Sequence, residues 1–395
     1  MNISLKEELS AFGAKPVSVD IYCSPEHFEL ECRHVFKKTW LYAGREFDIP
    51  EPGDYFVKNL DFLHASVLVV RGNDGKLRAF HNVCSHRQST LAWDQKGHAR
   101  RFVCKYHGWG YDLEGNLRSV PDEQYFYGLD KKRCGLTPLA VDAVSGLVFI
   151  NLDPAPEQTL RQSLGEIVGR LAEFPLEEWS RNYTFSAEIP TNWKCIVDNF
   201  QETYHVSCAH AVSVGDRSVG PENPMGHPLK FEFFGLHRGM DIWANPEHKP
   251  TLVESYAVRN GGIVGQTTSE NRSDNAAMFV FGLFPNIVLN VTPYFLQLHE
   301  LIPISAGRTH WSTTAFFPAA KNAGQRMSQE FSSVLLRDIT AEDLGILGSL
   351  QKNMLSGARK EIQFQAVEVL CRHMVNGLEK YIRDGQEREQ RVADG

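Results

Sequence analysis

Two short stretches of the chain each combine a thiol with an imidazole. Cys84-Ser85-His86 is followed, after seventeen intervening residues, by Cys104-Lys105-Tyr106-His107. Two thiolates and two imidazoles make a complete ligand set for a metal. A structural zinc site satisfies that count, since two-Cys, two-His zinc sites also draw their ligands from two loops. The order of the ligands argues against it, because zinc fingers place both Cys in one loop and both His in the other. Here each loop supplies one of each. That interleaving fits a [2Fe–2S] cluster in which the two Cys hold one iron and the two His hold the other. Neutral imidazoles in place of thiolates make such a cluster less negative and raise its potential.

A second group of ligand-type residues lies further along. Asn192-Trp193-Lys194 precedes Asp198-Asn199-Phe200-Gln201-Glu202-Thr203-Tyr204-His205, and Val206-Ser207-Cys208-Ala209-His210 follows directly. At ~100° per residue, His205 and His210 stand ~140° apart on an ideal helix. Both reach one metal only if the helix is locally distorted, and a π-bulge is a distortion that concentrates at functional sites. Two His and one carboxylate on one face of an octahedron leave positions open for O2 and substrate, the arrangement of non-heme Fe(II) oxygenases.

The first pair of loops resembles the Rieske family, with Cys84-Ser85-His86-Arg87 as Cys-x-His-Arg and Cys104-Lys105-Tyr106-His107-Gly108-Trp109 as Cys-x-Tyr-His-Gly-Trp. The second stretch resembles the catalytic-domain signature of Rieske oxygenase large (alpha) subunits, Asn-Trp-Lys followed by carboxylate-x-x-His-x4-His. The resemblance covers nearly the whole chain and implies an enzyme, a terminal oxygenase component. Electrons would pass singly from a Rieske cluster on Cys84, His86, Cys104 and His107 to a mononuclear Fe(II) on His205 and His210. There O2 would hydroxylate a small organic substrate, aromatic in the leading reading. The family's third ligand is an Asp far downstream, in a segment that continues to a Gln. Ala341-Glu342-Asp343-Leu344 leading to Gln351 matches with Asp343, and Asp338 and Glu342 are the alternatives.

One departure bears on the substrate. The carboxylate three residues before the first His is usually Asp in the aromatic-ring dioxygenases, where it joins a cluster His of one subunit to an iron His of its neighbour. This chain has Glu202, which implies a longer electron-transfer bridge between His107 and His205, with Asn199 beside the iron ligands. Glu at this place resembles the quaternary-ammonium monooxygenases, so oxidative demethylation or C–N cleavage of a quaternary-ammonium or N-alkyl substrate is the alternative. A Rieske electron carrier without oxygenase activity is a remote third reading, against which the second His pair counts. The family also implies a homotrimer or a multiple of one, with or without a small beta subunit. A partner reductase, with or without a ferredoxin, would supply electrons from NAD(P)H, because the chain has no Gly-x-Gly-x-x-Gly loop and no second cysteine cluster. Gly108 and Gly110 would let backbone N–H groups approach the bridging sulfides. Cys195, Cys208 and Cys371 lack paired spacing and read as buried thiols.

These residues need elements to hold them. Ser24-Pro25 opens a capped helix. Strand runs at 66–70 and 77–80 flank Asn73-Asp74-Gly75, a hairpin signal; Glu114-Gly115-Asn116 marks another turn, and Leu147–Leu152 a closing strand. Asp153-Pro154-Ala155-Pro156 reads as a linker, with helical spacing from Leu160 to Phe174. Strand-like stretches follow at Tyr183–Ile189, Phe231–Phe234, Met278–Leu283, Ile287–Val291, Phe295–Ile302 and Thr309–Phe317. Val367, Leu370, Cys371, Met374, Leu378 and Ile382 form the stripe of a last helix. The expected fold class is α+β: an all-β Rieske [2Fe–2S] domain over 40–153 and a catalytic domain over 154–395, with residues 1–39 a helical segment packed on the latter. The resemblance specifies the catalytic domain as an antiparallel sheet covered by helices, of the helix-grip, START-like kind. Phe279, Phe281, Phe284, Tyr294 and Phe295 would suit an apolar pocket or an aromatic cage, and core packing explains them equally. Residues 211–228 and 256–276 read as long loops.

The chain has 395 residues with 41 Lys plus Arg against 48 Asp plus Glu, a net charge of −7 that excludes the phosphate backbone of nucleic acid as the main partner. Hydrophobic residues make up 42%, ordinary for a globular protein, which excludes wholesale disorder. No apolar run approaches the ~18 residues of a bilayer span, and the polar start, Met1 to Glu8, lacks a secretory core. With eight scattered cysteines, the expectation is a cytoplasmic chain of free thiols and metal ligands.

Overall fold

The computed structural model describes residues 12–174, 176–179, 181–261, 276–292 and 294–393. Two compact units are present: Phe36–Ser163, and a second made of the chain before Phe36 together with Leu164 onward.

The first unit is built on a seven-stranded antiparallel sheet in the order 41–45, 147–151, 138–144, 77–81, 65–71, 54–60, 96–98. The inner strand 65–71 carries Val67, Leu68, Val69 and Val70, all without exposed surface, which a strand buried on both faces requires. Asn73-Asp74-Gly75 closes the expected hairpin, with Gly72 N–H donating to Lys76 O at 2.9 Å. A smaller three-stranded sheet, 102–103, 110–111 and 117–119, carries the second Cys/His loop.

The second unit contains another seven-stranded antiparallel sheet. Its strands are β1 (Arg181–Ile189), β2 (Lys230–Phe234), β3 (His237–Trp243), β4 (Ala276–Leu283), β5 (Ile287–Val291), β6 (Leu296–Ser305) and β7 (Arg308–Phe317). They pair in the order β1-β7-β6-β5-β4-β3-β2, a meander from β2 to β7 with β1 added at the far edge. Its helices from Trp193 onward are α1 (Trp193–Phe200), α2 (Val206–Ala209), α3 (Leu252–Arg259), α4 (Ala323–Leu355) and α5 (Val369–Ala393).

Six of these strands match the expected stretches, and β3 was not foreseen. Its sequence, His-Arg-Gly-Met-Asp-Ile-Trp, shows no alternation because every residue of it is buried. The 33-residue α4 was also not foreseen as a helix of that length, and Asp343 lies deep inside it rather than at a helix start. Its buried face is Ser328, Gln329, Ser332, Ser333, Leu336, Thr340, Asp343, Leu347 and Gln351, which has helical spacing but almost no apolar members. Residues 211–228 are loop as expected, mostly turns. The second expected loop runs instead through α3 as far as Arg259, and its residues 262–275 lie outside the described residues.

The Asn192-Trp193-Lys194 motif is the joint of this unit. Asn192 caps α1, accepting from Lys194 N–H at 2.9 Å and donating to Ala306 O at 2.6 Å. Its own N–H donates to Gln351 Oε1 at 2.8 Å, which fixes α4 against α1. Trp193 Nε1–H donates to Glu31 Oε2 at 2.8 Å, and the ammonium of Lys194 pairs with Glu31 Oε1 where both side chains are fully buried. Burial alone would raise the Glu31 carboxyl, yet Lys194 holds it below the ordinary carboxylate range. Ser24 caps the helix Pro25–Leu30 by accepting from His27 N–H at 3.0 Å, and one π-helical turn, Glu31–Phe36, extends it.

Candidate metal centres

His205 and His210 converge without a π-bulge. Helix α1 stops at Phe200, and the chain passes through a turn into α2, one turn long, with His205 at its N-cap and His210 at its C-cap. That break lies before His205; between the two residues the turn is helical, with His210 N–H donating to Val206 O at 3.0 Å, and the two rings meet from its opposite ends with centroids 5.1 Å apart. α4 brings Asp343 to them. His205 Nε2, His210 Nε2 and Asp343 Oδ1 lie within 4.8 Å of one another, with Oδ1 at 3.1 Å from His210 Nε2 and 3.8 Å from His205 Nε2.

The other nitrogen of each ring is occupied. His205 Nδ1 pairs with Glu202 Oε1, and His210 Nδ1 lies 2.8 Å from Glu342 Oε2. Glu342 also accepts from the Ser213 hydroxyl. With each Nδ1 donating to a carboxylate, each neutral ring turns its lone pair on Nε2 toward an anionic oxygen. Asp343 Oδ1 is buried and has no hydrogen-bond partner. Lone pairs facing a buried carboxylate repel unless a cation lies between them, so this donor set fits a metal. Burial pushes the His210 imidazole down, but Asp343 and Glu342 pull it above its ordinary value. Asp338 stands apart, exposed and paired with Arg337. Asp198, the other carboxylate of the motif, is half-buried, accepts from the Tyr22 hydroxyl at 2.7 Å, and burial raises it to about 7.

The Cys/His quartet sits on two loops of matched build. Gln88 N–H donates to Cys84 O at 3.0 Å and Cys84 N–H to Ser89 O at 2.8 Å; Gly108 N–H donates to Cys104 O and Cys104 N–H to Trp109 O, both at 2.9 Å. The fourth residue after each Cys has positive φ, Gln88 at 58° and Gly108 at 72°. A Cβ on Gly108 would also lie 3.1 Å from Pro121 Cγ, so side-chain space as well as φ favours glycine there. Both thiols are buried. His86 stacks on Trp109 with centroids 4.8 Å apart and meets His107 edge-on at 4.6 Å. The Tyr111 hydroxyl lies 3.2 Å from Cys84 Sγ and accepts from Ser85 N–H at 3.1 Å.

His86 Nδ1 is buried without a hydrogen-bond partner, as a ring nitrogen reserved for a metal would be.

A cavity of about 640 Å³, its open mouth included, adjoins the triad. Phe200, Val206, Met240, Ile242, Met278, Val280 and Ile339 supply its apolar lining, and Asn199 and Asn290 are its amides. The aromatics expected to flank a substrate are elsewhere: Phe279, Phe281, Phe284 and Phe295 are at most 5% exposed and line none of it. Strand alternation explains this, since Met278 and Val280 face the cavity and Phe279 and Phe281 the opposite side. Of the three leftover cysteines, Cys195 and Cys371 are buried as expected, but Cys208 is exposed on the short α2.

Comparison with known proteins agrees with this geometry. The model of the ring hydroxylating alpha subunit (catalytic domain) matches residues 176–384, and that of the Rieske [2Fe-2S] domain matches 39–130. The chain therefore belongs to the ring-hydroxylating alpha-subunit family, and its cofactors are a Rieske [2Fe–2S] cluster and a mononuclear iron. It is 33% identical over 189 residues to the glycine betaine monooxygenase oxygenase subunit of Pseudomonas aeruginosa strain UCBPP-PA14, covering 48% of this chain and 43% of that one. It is 38% identical over 224 residues to the large oxygenase component of a naphthalene 1,2-dioxygenase system of P. aeruginosa, covering 54% and 48%. The matches thus span about half the length of these relatives. A solved quaternary ammonium Rieske monooxygenase, described with carnitine oxidation and inter-subunit electron transfer, superimposes with a TM-score of 0.77 at 22% identity over 95% of this chain and 98% of that one.

Proposed function

We propose that the chain is the terminal oxygenase component of a multicomponent Rieske oxygenase that hydroxylates a small, apolar, ring-containing substrate with O2. The observation that carries this reading is the convergence of His205 Nε2, His210 Nε2 and Asp343 Oδ1 beside an apolar cavity. Cys84, His86, Cys104 and His107 would hold the cluster, and His205, His210 and Asp343 the mononuclear iron. An iron bound there supplies open coordination positions at which O2 is activated beside the substrate. Glu202 and Glu342 accept hydrogen bonds from Nδ1–H of His205 and His210, fixing each tautomer and aiming each Nε2. The methionine and aliphatic lining excludes water and accepts a hydrophobic ring.

Glu202 is the candidate electron-transfer bridge, reaching from His205 to His107 of a neighbouring copy. Support comes from its place on His205 Nδ1 and from the inter-subunit electron transfer described for the quaternary ammonium relative. A homotrimer, an external reductase with or without a ferredoxin, and NAD(P)H as ultimate donor complete the proposal. Six unbridged cysteines besides the two that would hold the cluster favour a cytoplasmic setting, and no helix among the described residues is long and apolar enough to cross a membrane.

Glu202 in place of Asp, with the names of the relatives, favours a second reading, a monooxygenase of quaternary-ammonium compounds. The cavity speaks against it, because among the described lining residues Phe200 is the one aromatic and no cage of rings is present. Substrate-dependent oxygen uptake decides between them. Iron-loaded protein with a reductase should turn over bicyclic ring compounds and not trimethylammonium compounds; turnover confined to the latter would establish the second reading.

A further inference from the structure

Behind the first Cys/His loop, one phenolic proton faces two acceptors. Tyr111 has no exposed surface, so bulk water does not reach its hydroxyl. Around its oxygen stand Ser85 Oγ at 2.9 Å, the Ser85 backbone nitrogen at 3.1 Å and Cys84 Sγ at 3.2 Å. Ser85 Oγ is in turn 2.6 Å from the backbone carbonyl oxygen of Cys134.

These distances assign the protons one by one. A carbonyl oxygen only accepts, and two oxygens 2.6 Å apart need a hydrogen between them, so Ser85 donates its single hydroxyl proton to Cys134 O. Ser85 Oγ therefore meets Tyr111 as an acceptor. The Tyr111 oxygen itself accepts from Ser85 N–H. A phenol keeps its proton at neutral pH, and a thiolate that ligates a metal can only accept. The one Tyr111 O–H is thus divided between Ser85 Oγ and Cys84 Sγ.

We infer that Ser85 is a positioning residue that sets the reduction potential of the cluster, because it draws the Tyr111 proton toward its own oxygen and weakens the hydrogen bond to Cys84 Sγ. The inference rests on the reading that Cys84 is a cluster ligand. Hydrogen bonds to the sulfurs tune the potential of such a cluster. A donor aimed at a ligand sulfur favours the reduced form, which carries one more negative charge. Dividing the proton keeps the potential lower, so the cluster gives up its one electron more readily to the mononuclear iron. Cys134 takes part through its carbonyl, since it occupies the Ser85 proton and leaves Ser85 able only to accept from Tyr111. The Tyr111 O–H bond stays intact, and the gain or loss of one electron is the whole redox change.

Spectroelectrochemical titration of the purified protein at neutral pH reads the midpoint potential, and the visible spectrum of each sample reports the cluster. Ser85→Ala keeps the backbone N–H but removes the competing acceptor, so the Tyr111 proton turns wholly to Cys84 Sγ. The equilibrium should move about tenfold toward the reduced form, which is ~59 mV upward for a one-electron couple. Ser85→Thr keeps the hydroxyl and should stay at the wild-type potential. Tyr111→Phe removes the proton and should lower the potential; Ser85→Ala added to it should change nothing further. A general disturbance of the loop would instead shift the potential in both backgrounds. If Ser85→Ala holds no cluster, Ser85→Val against Ser85→Thr repeats the comparison at matched shape. A potential unmoved or lowered by loss of the Ser85 hydroxyl, or an equal rise in the Tyr111→Phe background, overturns the role of Ser85 and leaves the cluster reading standing. A colourless wild type overturns both.

Discussion

Each imidazole of the triad has its own carboxylate behind it, and the two carboxylates have different tasks. Glu342 serves His210 and the Ser213 hydroxyl, both within the same unit. Its loss should act on the metal alone: Glu342→Ala should weaken mononuclear iron binding ~10–100-fold, as removal of such orienting partners does, whereas Glu342→Gln keeps an acceptor and most of the iron. Iron retained after graded chelation measures this. Glu202 accepts from His205 and, in the proposal, from a second ring of a neighbouring copy. Glu202→Gln keeps one acceptor oxygen for His205 but cannot serve both rings. Both metal centres should stay occupied while single-turnover re-oxidation of the cluster slows by ~10²-fold. A wild-type rate would show that Glu202 is no bridge.

At the scale of elements, the buried pair of Glu31 and Lys194 links the N-terminal helix to α1. Lys194→Met leaves the buried Glu31 carboxylate without its ammonium, with the Trp193 indole N–H and the His27 imidazole as its remaining partners, which should cost up to about 3–5 kcal/mol of stability. Glu31→Gln in the same background removes that charge, so part of the loss should return; chemical denaturation of the single and double variants checks it. The elements differ in how visible they were in the sequence. Strands β4 to β7 and helix α5 announced themselves because their buried positions are apolar and periodic. α4 hid because its buried face is Ser, Thr, Gln and Asp, so the spacing that places Asp343 and Gln351 on one side carries no hydrophobic signal. The break between α1 and α2 was equally hidden, since it lies before His205 and leaves no mark in the spacing of His205 and His210.

Across the whole chain, the two sets of metal-type residues were legible because metal chemistry restricts residue type and spacing more tightly than packing restricts a core. Cys84, His86, Cys104 and His107 needed no knowledge of the sheets that carry them. The cavity was not legible, since which face of β4 meets substrate depends on register, and a shift of one residue would exchange Met278 and Val280 for Phe279 and Phe281. The partner of His210 was weighed only as a ligand, although Glu342 sits one position before Asp343, where helical geometry turns it toward the other ring nitrogen.

The central claim is that one chain carries two iron centres of different kind. Iron and acid-labile sulfide should be counted on anaerobically purified wild type and on His210→Ala and Asp343→Ala, with the visible spectrum and the reduced-state EPR recorded on the same samples. The wild type should hold about three irons and two sulfides per chain. Each variant should keep the cluster spectrum and both sulfides but lose the third iron, since each removes one of three ligands. A colourless wild type with stoichiometric zinc, or variants that keep all three irons, would contradict the account.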